Sequence, residues 1–329
     1  MREDESVEVS VRRAREEDYA EIVEVHCSDV DKWYRYSEGE KIEASYEELT
    51  PFERWLHGGP WMDERALRIH FEILRECGGE AFVAVSGGRV VGEAEVVFGE
   101  ELEPYGRYCF LEVLVVHRDC RRRGVGTKLV EHCIEYARAR GYSRFDAVPE
   151  DRRSRRLYSK LGLERMSYLC KMEKECKRAS PPLSLEETSL EEHPWGMLLV
   201  SGHWYPSVYV WQNLARSTEY NRLEGFRLER PRAFEIRDRE RATGILVLQR
   251  HPTNPSLCIV YAWIEPERSR AEFLREVAES AESKARELGY ERAFVEVDEE
   301  RAPAFLEAGY AETRRVEYMR RVEPQEAKA

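Results

Sequence analysis

The chain has 329 residues, 42% of them apolar and 35% charged, with a net charge of −12. That length corresponds to about two domains, and that apolar content excludes a mini-protein or a chain too polar to bury a core. With no run of about 18 apolar residues and an acidic start, Met1-Arg2-Glu3-Asp4-Glu5, a cytoplasmic protein with no membrane role and no signal peptide is expected.

In chain order, Val7 to Val11 alternates like a short strand and Asp18 to Val25 reads as a helix start. A weakly patterned region from Asp29 to Pro60 follows, then a helix near Asp63 to Arg75. Ala81 to Phe98 forms two apolar runs around Ser86-Gly87-Gly88, a hairpin signal. Tyr108 to Val116 is a nearly continuous apolar strand. A helix from Gly124, a strand at Phe145 to Val148, a helix to Leu161 and a final pair of strands complete the first half. Lys177 to Thr188, with Pro181-Pro182, reads as a linker.

The eight cysteines show neither a CxxC pair nor metal-ligand spacing with the histidines, so mostly buried free thiols and no metal are expected. Asn and Gln together number six, all after residue 211, a balance that resembles proteins of hyperthermophiles. Charge is graded along the chain. Residues 1–117 hold 13 Lys+Arg against 28 Asp+Glu, whereas residues 118–178 hold 18 against 9. Solvated helices account for such a gradient, and so does an anionic ligand on the basic segment beside a cationic one on the acidic segment. The acidic total opposes nucleic-acid binding.

An internal repeat appears when the halves are offset by about 150 residues. Ala137-Arg-Ala-Arg-Gly-Tyr142 meets Ala285-Arg-Glu-Leu-Gly-Tyr290, and Leu161-Gly162-Leu163 meets Ala308-Gly309-Tyr310. Two related domains are expected: 1–176, a linker 177–188, and 189–329.

The strongest local element is Leu114-Val-Val-His-Arg-Asp-Cys-Arg-Arg-Arg-Gly-Val-Gly-Thr-Lys-Leu129, where a buried strand runs into a helix through Arg121-x-x-Gly124-x-Gly126. Glycines at a helix start leave backbone N–H groups free to surround a phosphate, which the helix dipole and arginines favour. The arrangement resembles the GNAT superfamily of acyl-CoA N-acyltransferases, whose signature is Q/R-x-x-G-x-G/A. Asp151-Arg-Arg-Ser154-Arg-Arg-Leu157-Tyr158-Ser-Lys160-Leu161-Gly162-Leu163 is similar to that family's second signature, N-x-x-A-x-x-L-Y-x-K-x-G-F, departing at Asp151, Ser154 and Leu163.

The resemblance, which covers residues 7–174, implies two tandem α/β (α+β) domains, each a mixed, mostly antiparallel sheet flanked by helices. It implies acetyl-CoA as cofactor, with the pyrophosphate on the backbone of Arg122, Arg123, Gly124, Val125, Gly126 and Thr127 and with Arg121 among the cofactor-binding residues. The pantetheine arm would lie along Leu114, Val115 and Val116, and Asp151, Ser154 and Lys160 would stand at the cofactor's edge. Tyr158 falls on the tyrosine that protonates the leaving thiolate in many members.

Glu112 interrupts a strand otherwise apolar on both faces, where a carboxylate is costly unless paired or used. Two roles fit: a structural salt bridge to an arginine, or, as the resemblance implies, the base that accepts the amine's proton. The acceptor is expected to be a primary amine, a small cationic amine or polyamine. A protein N-terminal or lysine amine is the alternative, and a non-catalytic acyl-CoA-binding scaffold is the reading from another class. Trp33, Tyr34, Tyr36, Trp55 and Trp61, with Asp29, Asp31, Glu38, Glu40 and Glu43 nearby, form a candidate acceptor wall, of which Trp33, Tyr34 and Tyr36 are the first choice for substrate contact. A second aromatic group comprises Trp204, Tyr205, Tyr209, Trp211 and Tyr220.

In the second half the offset puts Ser269 at Arg121, Glu272 at Gly124, Leu274 at Gly126, Val260 at Glu112 and Phe305 at Tyr158. That domain is expected to keep the shape without a cofactor site, and to stabilise the first domain, form a homodimer contact, or close one wall of the acceptor cleft.

Overall fold

The computed structural model describes residues 8–37, 40–202, 206–238 and 241–323. Residues 1–5, Val7, Glu38, Trp204 and Tyr205, singled out above, lie outside the described residues. In the first half β1 (Val9–Arg13), α1 (Tyr19–Cys27), a hairpin of β2 (Trp33–Ser37) and β3 (Glu40–Ala44), α2 (Pro51–Trp55) and α3 (Glu64–Glu76) come first. Then follow β4 (Glu80–Ser86), β5 (Arg89–Glu100), β6 (Arg107–Val116), α4 (Val125–Ala139), β7 (Arg144–Ala147), α5 (Arg152–Lys160) and β8 (Glu164–Glu175). The second half holds β9 (Ser184–Thr188), β10 (Leu198–Ser201), α6 (Ser207–Arg216), β11 (Arg232–Asp238), β12 (Arg241–His251) and β13 (Asn254–Ile264). It ends with α7 (Ala271–Glu287), β14 (Arg292–Asp298), α8 (Ala302–Glu307) and β15 (Ala311–Val322).

Local chemistry explains several of these boundaries. Gly87 and Gly88 both have positive φ (59° and 80°), as a two-residue turn between β4 and β5 requires. Asp63 caps α3 by accepting from the N–H groups of Arg65 and Ala66, and the α3 stripe Ala66, Leu67, Ile69, His70, Phe71, Ile73 and Leu74 is buried.

Thirteen strands form one sheet in the order β1-β4-β5-β6-β7-β15-β8-β14-β13-β12-β11-β9, with β10 beside β13. Pairing is antiparallel except at β6 with β7 and β13 with β14. The first half does not end in the expected pair of strands. It ends in the single long strand β8, which pairs with β14, while β15 from the C-terminus pairs with β7. β8 and β15 also pair with each other. Without this exchange β7 and β14 would each present an unpaired edge. Residues 177–188 thus join two similar halves of one sheet, and the stretch expected to be a linker closes with β9, hydrogen-bonded to β11.

In the first half α4 and α5 pack on one face of the sheet through Val125, Leu129, Val130, Cys133 and Leu161. On the other face α1 and α3 share a core with Tyr209, Tyr220 and Phe226 of the second half. Phe226 is fully buried, edge-on to Phe52 and Trp55 and stacked on Tyr220. Its neighbour Gly225 (φ 86°) lies so close to α2 that a Cβ would sit 2.9 Å from the Phe52 Cβ and the Thr50 Oγ1. All eight cysteines are free thiols, five of them buried. No helix among the described residues is long and apolar enough to cross a membrane.

Candidate active site

The site begins with a bulge in β6. Glu95 of β5 faces Val113 and Val96 faces Leu111, so Glu112 is the extra residue between them. The parallel pairing of β6 with β7 covers only Cys109, Leu111 and the residue between, opposite Phe145 to Ala147. Beyond it β6 parts from β7, and Leu114, Val115 and Val116 line the open end, each half-buried.

At the top of this split, Gly124 is the N-cap of α4 with φ 82°, and no side chain caps the helix. Its first N–H groups therefore lack intrahelical partners. A Cβ on Gly124 would meet nothing within 4 Å, and one on Gly126 only Leu157 and Val116 at 3.5 and 3.7 Å, so both glycines border open space. Arg122 is the one non-glycine residue with positive φ (67°) among the described residues. Among non-glycine residues, left-handed backbone strain thus falls in the loop that leads into α4. Arg122 and Arg123 are exposed and Thr127 half-exposed, whereas Val125 is buried beneath the loop.

Other residues expected at the cofactor are engaged within the protein. Arg121 donates from Nε to the Val116 carbonyl (3.0 Å) and pairs with Asp29, while Arg118 pairs with Asp31. Asp151 caps α5, accepting from the N–H groups of Arg153 and Ser154 and from the Ser154 hydroxyl. Lys160 is exposed at the end of that helix. Tyr158 is buried at 5% exposure beside Val125, Leu129 and Cys133, and burial raises its hydroxyl pKa. Among the described residues no hydrogen bond to that hydroxyl is found.

On the sheet face toward α1 and α3, Glu112 joins a cluster that the strand pattern alone did not single out. Glu93 and Glu95 are fully buried on β5. The Glu95 carboxylate is held by the Trp61 indole N–H (2.6 Å) and by His70 Nε2 (2.7 Å), and Glu93 meets His26 Nε2 at 2.8 Å. Tyr209 of α6 donates to Glu112 Oε1 (2.6 Å), while Oε2 is buried without a partner. The partners of Glu112 are thus a tyrosine, His70 and Glu95, not an arginine.

Burial pushes Glu112 up to about 8, with the Glu95 charge adding and His70 opposing. It likewise raises Glu95 and Glu93 to about 7. Burial pulls against a charged His70, but Glu95, Glu112 and Glu93 outweigh it and hold the imidazole at about 9. Burial drives His26 down to about 4. The Glu95 carboxylate thus favours a protonated His70, whereas burial favours a neutral His26 beside Glu93. The signal for this cluster was present in the sequence as Glu93-Ala-Glu95, two carboxylates on one face of an apolar strand. His70, Glu95 and Glu112 offer ligand atoms within 4.8 Å of one another, but both Glu95 oxygens and His70 Nε2 are already spent on each other and on Trp61.

Glu112 and His70 open onto a cavity of about 540 Å³ between the halves, lined by Trp55, Trp61, Tyr209, Tyr220, Asn213 and Tyr261 among others. The hairpin aromatics Trp33, Tyr34 and Tyr36 are not part of that lining. Trp33 packs on Tyr46 and His57, and Lys41 covers Tyr34. The acidic patch expected near them is largely neutralised, since Asp29 and Asp31 pair with arginines and Glu43 with Lys32.

The second half lacks this architecture. β10 pairs with the end of β13, and Gly202 N–H reaches the Glu296 carbonyl of β14 (2.8 Å), filling the split between those strands. The loop before α7 is two residues shorter than the one before α4, so Arg270 rather than Glu272 occupies the cap position of Gly124.

Residues 42–163 match the family model described as Acetyltransferase (GNAT) family. Among solved structures, the GCN5-related N-acetyltransferase of Anabaena variabilis superposes with a TM-score of 0.62 at 13% identity, over 96% of this chain and 73% of that one. The GCN5-related N-acetyltransferase of Kribbella flavida gives 0.57 at 14% identity, over 96% and 71%. A tandem GNAT protein from the clavulanic acid biosynthesis pathway gives 0.50 at 15% identity, over 97% and 100%. No curated protein sequence matches the chain. Residues 42–163 of the first half are thus similar to the GNAT family model, and the whole chain shares the fold of tandem GNAT proteins.

Proposed function

We propose that the protein is an acetyl-CoA-dependent N-acetyltransferase that acylates the primary amine of a small molecule bound between its two halves. The observation that carries this reading is Glu112, bulged out of β6 where that strand leaves β7, with a free carboxylate oxygen beside the cavity. The open glycine loop and uncapped α4 fit a pyrophosphate, and the split between β6 and β7 fits a pantetheine arm. The filled split at β10 and the Arg270 cap support a single cofactor site, in the first half.

Acyl-CoA, when bound, supplies the thioester carbonyl that the amine nitrogen attacks. An amine is cationic at neutral pH and must lose a proton first. Glu112 Oε2 takes it, while Tyr209 holds Oε1 and the His70–Glu95 pair sets the local charge. Tyr158 is suited to give its hydroxyl proton to the departing sulfur. The cavity volume is that of a small-molecule site, and its aromatic walls suit the carbon skeleton of an amine.

The test is mass spectrometric. Purified protein is incubated with acetyl-CoA and a pool of polyamines, amino acids and N-terminal peptides, and acetylated products are identified. Acetylation of small amines, with yield falling in Tyr158→Phe while CoA still binds, supports the reading. Acetylation of peptides alone, or none with CoA bound, overturns it.

A further inference from the structure

Resting on the acetyltransferase reading, we propose that the acceptor amine also carries an oxyanion, a carboxylate or a phosphate, which Arg227 of the second half binds. The argument is one of charge balance. Apart from histidines and tyrosines, the described residues of the cavity lining hold Glu112, Glu229, Glu296, Lys171, Arg227 and Arg250 as ionisable acids and bases. Lys171 pairs with Glu296 (3.0 Å) and Arg250 with Glu229 (3.0 Å). Glu112 is the group that receives the amine. Arg227 remains, with no ion pair among the described residues and one hydrogen bond, to the carbonyl of Phe226 (2.5 Å).

The segment that presents Arg227 is built firmly. Asn221 clamps Leu228 through both backbone groups, donating to its carbonyl (2.9 Å) and accepting from its N–H (2.8 Å). Phe226 anchors the segment under Phe52 and Trp55, with Gly225 pressed on α2. Arg227 itself is exposed at the rim of the cavity, where its guanidinium offers the planar donor fork that fits a carboxylate or phosphate. The first half thus supplies the proton acceptor for the amine, and the second half a cation for the other end of the same molecule. A polyamine would put further positive charge against Arg227 and find no second unpaired carboxylate in the lining.

The experiment titrates the CoA-bound full chain calorimetrically with pairs of amines that differ only in the anionic group. One pair is an amino acid and its amide, the second a phosphorylated amino alcohol and its parent, and a polyamine is the third arm. The anionic member of one pair should bind about tenfold or more tightly than its twin, and which pair does so separates carboxylate from phosphate. Arg227→Gln should abolish that preference with unchanged binding of the neutral twin and an unchanged melting temperature, and Arg227→Lys should keep part of it. Equal binding of both members of each pair, tighter binding of the polyamine, or a preference that survives Arg227→Gln overturns the inference. Acetyl transfer is read on the same panel. Transfer without any anion preference sinks the Arg227 site and spares the acetyltransferase, whereas an anion preference without transfer does the reverse.

Discussion

Replacing Glu112 by Gln separates catalysis from stability. Glutamine keeps the size of the side chain and an oxygen for the Tyr209 hydroxyl, but cannot take a proton. General-base loss costs about 10²- to 10⁴-fold in rate, so kcat/KM should fall by about that factor. The wild-type rate should climb from pH 6 through about 8, where Glu112 is half ionised, to a plateau above about 9, and the variant should lack that limb. Stability moves oppositely. The folded pKa of Glu112 lies above its ordinary 4.5, so its contribution is present below pH 4.5 and is lost as pH rises toward 8. Burial is the first cause of that upward displacement, so ionised Glu112 weighs against the folded state. Glu112→Gln should therefore melt like wild type at pH 4 and higher than wild type at pH 9. Acetylation rates by mass spectrometry from pH 6 to 9.5, with calorimetric melts at both extremes, test this. A variant with wild-type rate, or one that melts lower at pH 9, would refute the reasoning.

Further expectations concern the cofactor loop, the acid and the shared core. Gly124→Val places a β-branched residue at φ 82° and a side chain in the open cradle. Acetyl-CoA binding by titration should weaken more than about tenfold, whereas strain costs the apo protein only about 1–2 kcal/mol. Tyr158→Phe should lower kcat with little change in the Kd for CoA, because the hydroxyl makes no hydrogen bond that holds the fold; an equal loss of both would point to a packing role. Phe226→Ala empties the aromatic contact between the halves and should cost about 3–5 kcal/mol in denaturant unfolding.

Elements with a local signal were legible in the sequence. Gly124 marks a helix start because its left-handed φ of 82° needs glycine, Gly126 follows within the first turn of α4, and Leu157-Tyr158 lies on the next helix. Glu112 stood out against the apolar residues of its own strand. The same logic applied to Glu93 and Glu95, but His26 and His70 sit on helices whose apolar faces do not reveal what they meet. Pairing between distant segments was illegible. Neither the exchange of β8 with β15 nor the insertion of β10 follows from alternation, because alternation sets a strand's face and not its neighbour. For the same reason composition singled out both aromatic groups without separating their members: Trp55, Trp61, Tyr209 and Tyr220 line the cavity, whereas Trp33, Tyr34 and Tyr36 do not.

Native mass spectrometry of the full chain with acetyl-CoA, before and after addition of an acceptor amine, tests the central claim of one acyl-transfer site roofed by the second half. One acetyl-CoA should bind per chain, and the amine should convert that complex to CoA with the acetyl group on the amine. Two acetyl-CoA molecules per chain, or a complex that keeps its acetyl group with the amine bound, would contradict it.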